Sequence, residues 1–140
     1  MIKKAAAKKK KVKDEGAGPA SPPKLDSKGL AVLAAESAFD KKAFDVVVID
    51  VAEKSPITDM MVIASARSTT HLRAVADNVE KDLAKHGMKP SHRERGLGGD
   101  SDWILLDYFD VMIHIFVNDV RGHYQLERLY KDSKVIAEFH

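Results

Sequence analysis

Asp100 and Asp102 are the residues in this chain best placed to do chemistry. They form an Asp-x-Asp at the entry to an apolar strand. Strand alternation puts both carboxylates on one face, where they could hold a divalent cation for phosphoryl or nucleotidyl transfer. That chemistry also needs a third carboxylate and a Gly-Ser turn opening a helix to cradle a triphosphate, and no Gly-Ser occurs in the chain. Gly98-Gly99-Asp100-Ser101 reads more simply as loop chemistry before a strand. Asp107 and Asp110 bracket a turn, where aspartate bonds nearby backbone. A hairpin tip rarely makes the cleft that acid–base work requires.

Other reactive side chains are scattered. His71, His86, His92, His114, His123 and His140 contain no pair at the helical i, i+4 spacing of a metal motif. His114 lies within an apolar strand and reads as a core or interface histidine. Ser55, Ser65 and Ser68 lack a nucleophile-elbow context. Gly96-Leu97-Gly98-Gly99 precedes a strand instead of opening a helix, so it is no phosphate-binding fingerprint. Cysteine is absent, which removes disulfides, thiolate metal sites and a thiol nucleophile. The residues therefore assign no catalytic group, no metal and no cofactor.

The aromatics point to binding. Trp103-Ile104-Leu105-Leu106 and Val111-Met112-Ile113-His114-Ile115-Phe116 flank the break Asp107–Asp110 in a β-hairpin pattern. Both arms are nearly all apolar, so the hairpin is expected to be central in a sheet covered on both faces. Trp103 opens the first arm, and Tyr108 and Phe109 crowd a turn where small residues are usual. Tyr and Trp with a polar tip are enriched at binding hot spots. Tyr108 is read as an exposed contact at the hairpin tip. Trp103 is divided evenly between contact and core.

Charge separates the chain into two parts. Residues 1–25 hold eight lysines against Asp14 and Glu15; the remainder holds 15 Lys and Arg against 19 Asp and Glu. The first 25 residues are Lys, Ala, Gly, Pro and Ser with almost no bulky apolar side chain. They are expected to be a disordered tail, either solubilising or a phosphate-binding tether to RNA. Residues 26–140 are expected to form one acidic domain suited to a basic partner. No apolar core of a secretion signal follows the basic start, and no run reaches membrane-spanning length, so a cytoplasmic protein with no membrane partner is expected.

Several elements must position these groups. A helix starts at Asp26 or Ser27 with Leu30, Leu33, Ala34 and Ala38 on one face. Phe44–Val51 reads as a strand that Lys54-Ser55-Pro56 breaks. The stretch 57–66 contains a second strand over Met60–Ala64. Ser65, Ser68 or Thr69 caps a helix running to about His86 and closed by Gly87, with Leu72, Val75, Ala76, Val79 and Leu83 as its apolar stripe. A short strand is expected around Ser91–Arg95, then a mobile loop, the hairpin, a helix from Val120 to about Lys131, and a short strand or tail over Val135–Phe139. Strand, helix and further strands suggest a crossover unit in an α/β (α+β) fold.

From Leu30 to Tyr130 the chain closely resembles the ribosomal silencing factor family, also called Iojap-like proteins. The resemblance rests on Lys42-Ala43-Phe44-Asp45-Val46-Val47-Val48-Ile49-Asp50-Val51, Lys54-Ser55-Pro56-Ile57-Thr58-Asp59, Ile63-Ala64-Ser65, Asp102-Trp103-Ile104-Leu105-Leu106-Asp107-Tyr108, Asp110-Val111 with His114, and Arg121 followed by Tyr124-Gln125-Leu126-Glu127-Arg128-Leu129. It implies a mixed β-sheet flanked by helices, of nucleotidyltransferase-like topology without the catalytic signature. It further implies a non-enzymatic translation repressor. Such a protein binds the large ribosomal subunit through ribosomal protein number fourteen, blocks joining of the small subunit and slows translation under nutrient limitation; organellar relatives assist large-subunit assembly. Carried over by motif, the partner contacts fall on Trp103, Leu105, Asp107, Tyr108 and Asp110, with Lys54, Ser55 and Asp59 nearby. A homodimer is plausible for such a fold.

Three positions depart from the family pattern. Phe109 stands where a glycine is usual between the turn tyrosine and aspartate, either changing the turn or adding a contact. Ala66-Arg67 replaces a glycine after Ser65, and Tyr130 replaces a tryptophan. Two other readings remain: a metal-dependent nucleotidyltransferase-like enzyme at Asp100 and Asp102, and a general RNA-binding adaptor of ribosome assembly led by the Lys-rich tail.

Overall fold

The computed structural model describes residues 25–95, 102–118 and 132–140. Residues 1–24, nearly all of the tail expected over 1–25, residues 96–101, which include Asp100 and fall where a mobile loop is expected, and residues 119–131, where a helix is expected from Val120 to about Lys131, lie outside the described residues. Among the described residues two helices, α1 (Ser27–Asp40) and α2 (Thr69–Ala84), accompany six strands: β1 (Phe44–Asp50), β2 (Met60–Ala66), β3 (His92–Arg95), β4 (Trp103–Asp107), β5 (Val111–Val117) and β6 (Lys134–Phe139). The strands make one mixed sheet in the order β3-β4-β5-β2-β1-β6. Only β2 with β5 is parallel; the other four pairings are antiparallel. This is the expected mixed α+β architecture. The parallel pair is joined through α2, β3 and β4, so the crossover carries a strand pair as well as a helix.

The caps explain where the helices begin. Asp26 is extended, and its carboxylate accepts the Gly29 N–H at 2.7 Å. Ser68, one of three candidate caps for α2, accepts the His71 N–H at 3.1 Å. Gly87 turns the chain out of α2 with φ +76°, a conformation that glycine adopts without steric cost. The buried positions of α1 are almost all small (Ala31, Ala34, Ala35, Ser37, Ala38), which lets the helix lie close to its neighbours. Ser37 ties α1 to α2: its hydroxyl is 2.6 Å from Asp82 Oδ2, and Asn78 Nδ2 donates to the Ser37 carbonyl at 3.0 Å.

Strand alternation divides the sheet. Val46, Val48, Met60, Val62, Ala64, Ile104, Leu106, Val111, Ile113 and Ile115 join both helices in the main core. The opposite face gathers Ile49, Val51, Met61, Ile63 and Phe116 with Val47 and Trp103 against them. On that face β5 is well covered, as expected. β4 is not: its burial alternates, with Ile104 and Leu106 fully buried and Trp103, Leu105 and Asp107 only partly so. An apolar run could not distinguish these cases, because Trp103 and Leu105 look like core residues on either face.

Candidate partner-binding surface

The site begins at the hairpin turn. After Asp107 the chain makes a three-residue turn, with the Asp110 N–H donating to the Tyr108 carbonyl at 2.9 Å and the Tyr108 N–H donating to the Val111 carbonyl at 2.9 Å. Phe109, the central residue, has φ +68°. A turn closed between residues i and i+2 with positive φ at its centre is the rare, strained form. A side chain there costs roughly 1 kcal/mol or more over glycine. Asp107 helps hold it, since its Oδ1 accepts the Phe109 N–H at 2.8 Å.

Tyr108 is not the exposed contact expected at the tip. It is 7% exposed and belongs to the main core. The physical reason is that the two-residue period of β4 continues through it: Ile104, Leu106 and Tyr108 all face the helices. Its hydroxyl is buried and makes no hydrogen bond among the described residues. Burial, with Glu80 adding to it, raises the phenol's pKa well above its ordinary value. The neighbouring Phe109 takes the outer position at 70% exposed.

The loop between β1 and β2 is fastened to the same end of the sheet. The Asp110 carbonyl accepts both the Asp59 N–H at 2.9 Å and the Met60 N–H at 3.0 Å. The Ser55 hydroxyl accepts the Ile57 and Thr58 N–H groups, each at 3.3 Å, so Ser55 shapes the loop from within. Lys54, Asp59 and Asp110 are exposed. Ile57, read in sequence as the approach to a strand, stands out from this loop at 68% exposed. Ile57 was missed as a surface feature; its position beside Pro56, in a break between strands, was the available signal.

Trp103 sits at the other end of β4, about 13 Å from Asp107 at strand rise. Its Nε1–H donates to His114 Nδ1 at 3.3 Å across the β4–β5 pair, and its ring lies nearly parallel to those of His114 and Phe116. His114 is buried, and that burial pushes its pKa down to about 4. Trp103 thus has one edge in the second core and one edge outward.

The sequence-predicted contacts therefore form two connected regions and one residue beneath them. Trp103, Leu105 and Asp107 line the open face of β4. Asp110 and Asp59 are joined through their backbones at the hairpin end, and Lys54 is exposed in the same β1–β2 loop, which Ser55 organises. Tyr108 supports the turn from the core side. Of the proposed metal pair, Asp102 is exposed and Asp100 lies outside the described residues. No group of three potential metal-ligating side chains occurs among the described residues.

The family model described as "Ribosomal silencing factor during starvation" matches residues 24–140. The chain belongs to the ribosomal silencing factor family. The silencing factor of Zymomonas mobilis is 38% identical over 116 residues, covering 80% of this chain and 86% of that protein. The mouse protein named for mitochondrial assembly of the ribosomal large subunit is 33% identical over 93 residues, 64% of this chain and 40% of that protein. A crystal structure of a Chromobacterium violaceum protein superposes with a TM-score of 0.70 at 26% identity, covering 76% of this chain and 88% of that one. The family's description speaks of silencing the ribosome and names no reaction. No helix among the described residues of this silencing factor is long and apolar enough to cross a membrane.

Proposed function

We propose that this silencing factor represses translation by docking on the large ribosomal subunit, through ribosomal protein number fourteen, and sterically blocking the small subunit. The observation that carries the reading is the half-open face of β4. Trp103, Leu105 and Asp107 run along it into the acidic hairpin end at Asp110 and Asp59. Apolar contact area beside carboxylates suits a basic ribosomal protein: the carboxylates steer the encounter and the apolar groups hold the complex. The name of the mouse relative, which concerns the ribosomal large subunit, points to the same partner. No bond is made or broken in this mechanism, and steric docking calls for no cofactor.

In the proposed division, residues 26–140 dock and the lysine-rich residues 1–25 act as a tether to ribosomal RNA through phosphate charge. The working compartment would be the cytoplasm. The edge strand β3, His-Arg-Glu-Arg, is short and charged in the manner that discourages pairing with a second copy through that edge.

Co-sedimentation of the full chain with separate large and small subunits, scored together with subunit reassociation, tests the reading. The chain should pellet with the large subunit alone and reduce joined ribosomes. Leu105→Glu, on the partly buried face of β4, should weaken that binding by roughly 2–5 kcal/mol with the fold retained. Binding to neither subunit, or undiminished joining at saturation, would overturn it.

A further inference from the structure

Among the described residues the two most exposed large apolar side chains are Phe109 and Ile57. Both stand at the hairpin end of the sheet, on two loops that the Asp110 carbonyl fastens together. Phe109 occupies a left-handed conformation that glycine would adopt without strain, and it recovers little burial in return. Strain retained at an exposed residue marks function more often than stability. Single exposed apolar residues are ordinary; two on loops fastened at one end of a sheet, one of them strained, call for a reason.

We infer that Phe109 is a specificity-determining anchor, which with Ile57 inserts into an apolar recess on a basic protein surface of the large subunit. The inference rests on the docking reading above and extends it to a residue outside the contact set carried over from the family. Charge selects the occupant: exposed Asp110 follows Phe109 in the turn, and exposed Glu53 and Asp59 lie in the loop that carries Ile57, with Lys54 the exposed cation in that loop. A basic rim around an apolar recess would complement this pattern; an anionic RNA backbone or an acidic partner would be repelled. The turn is well braced, by Asp107 on the Phe109 N–H and by the core-packed Tyr108 beside it, so the backbone that carries the ring has little ordering left to do on binding.

The test compares the full chain with Phe109→Gly, Phe109→Ala, Phe109→Tyr and Ile57→Ser in thermal unfolding and in binding to isolated large subunits. Phe109→Gly should raise the melting temperature by about 4 °C or more while weakening binding roughly tenfold or more. Phe109→Ala should lose similar affinity without that gain in stability. Phe109→Tyr should bind within about twofold of the parent, and Ile57→Ser should weaken binding by a smaller factor. Parent-like binding by both Phe109→Gly and Phe109→Ala would overturn the anchor and leave the docking reading intact. Failure of the parent chain itself to bind would overturn both. A concentration-dependent dimer of the parent, abolished by Phe109→Gly with subunit binding unchanged, would reassign the patch to a second copy and overturn the proposed occupant.

Discussion

Trp103 and His114 are joined across the β4–β5 pair by an Nε1–H to Nδ1 hydrogen bond of 3.3 Å, with their rings 19° from parallel. The bond requires the Nδ1 lone pair, so His114 carries its proton on Nε2 and is neutral. Burial enforces the same state.

A pH dependence follows from that state. Folding lowers the His114 pKa from its ordinary 6.5 to about 4, so the unfolded chain binds a proton that the folded chain refuses. The stabilisation is complete above pH 6.5, declines as pH falls and is gone below about pH 4. Its full size is on the order of 3 kcal/mol. Urea unfolding at pH 7, 6, 5 and 4 should show this decline, and His114→Gln, which cannot titrate, should flatten it. An equally steep decline in the variant would place the effect on carboxylates instead.

Tyr108 separates folding from binding. Its ring is core and its hydroxyl is buried with no hydrogen bond among the described residues. Tyr108→Phe removes a desolvated polar atom and should be neutral or stabilising, within about 1 kcal/mol. Tyr108→Ala should cost about 3–5 kcal/mol through the cavity it leaves. Chemical denaturation of both variants checks the order. A large loss in Tyr108→Phe would reveal a partner for the hydroxyl.

How far the sequence could be read depended on what each pattern encodes. The stripe of Leu72, Val75, Ala76, Val79 and Leu83 has one helical interpretation, and those five residues are the buried face of α2. Val46–Ile49 and Met60–Ala64 likewise fall within strands. Turn-favouring neighbours hide the place of Tyr108, because the two-residue alternation of β4 continues through it into the core. The open face of β4 was illegible for another reason: Leu105 is as apolar as Leu106, and only neighbours distant in sequence decide which is covered. The sign of φ at Phe109 is set by the tight closure between Tyr108 and Asp110. Only the glycine usual at that place in the family hinted at it.

Ser37 should matter more than its size suggests. It is buried and touches Asp82 and Asn78 of α2. Ser37→Ala leaves Asp82 and Asn78 short of a partner in a partly buried place, costing about 1–3 kcal/mol. A Ser37→Ala, Asp82→Ala double-mutant cycle should give a coupling energy of about 0.5 kcal/mol or more. Additive losses would show that the two side chains act separately.

Charge at the hairpin end should govern the rate of association more than the lifetime of the complex. Asp59 and Asp110 are exposed, and it is their backbone groups, not their carboxylates, that fasten the loops together. Reversing both, as Asp59→Lys with Asp110→Lys, therefore changes the field while leaving those main-chain bonds available. Against a basic partner surface the double variant should associate about tenfold or more slowly at low ionic strength. The difference should shrink as salt rises, because a Debye length near 10 Å at 0.1 M falls to about 3 Å at 1 M. Dissociation rates should change less, since these carboxylates lie at a solvent-exposed rim. Stopped-flow mixing with isolated large subunits across a salt series measures both rates. Faster association of the Lys variants would mean that this end of the sheet meets an acidic surface, such as the phosphates of ribosomal RNA.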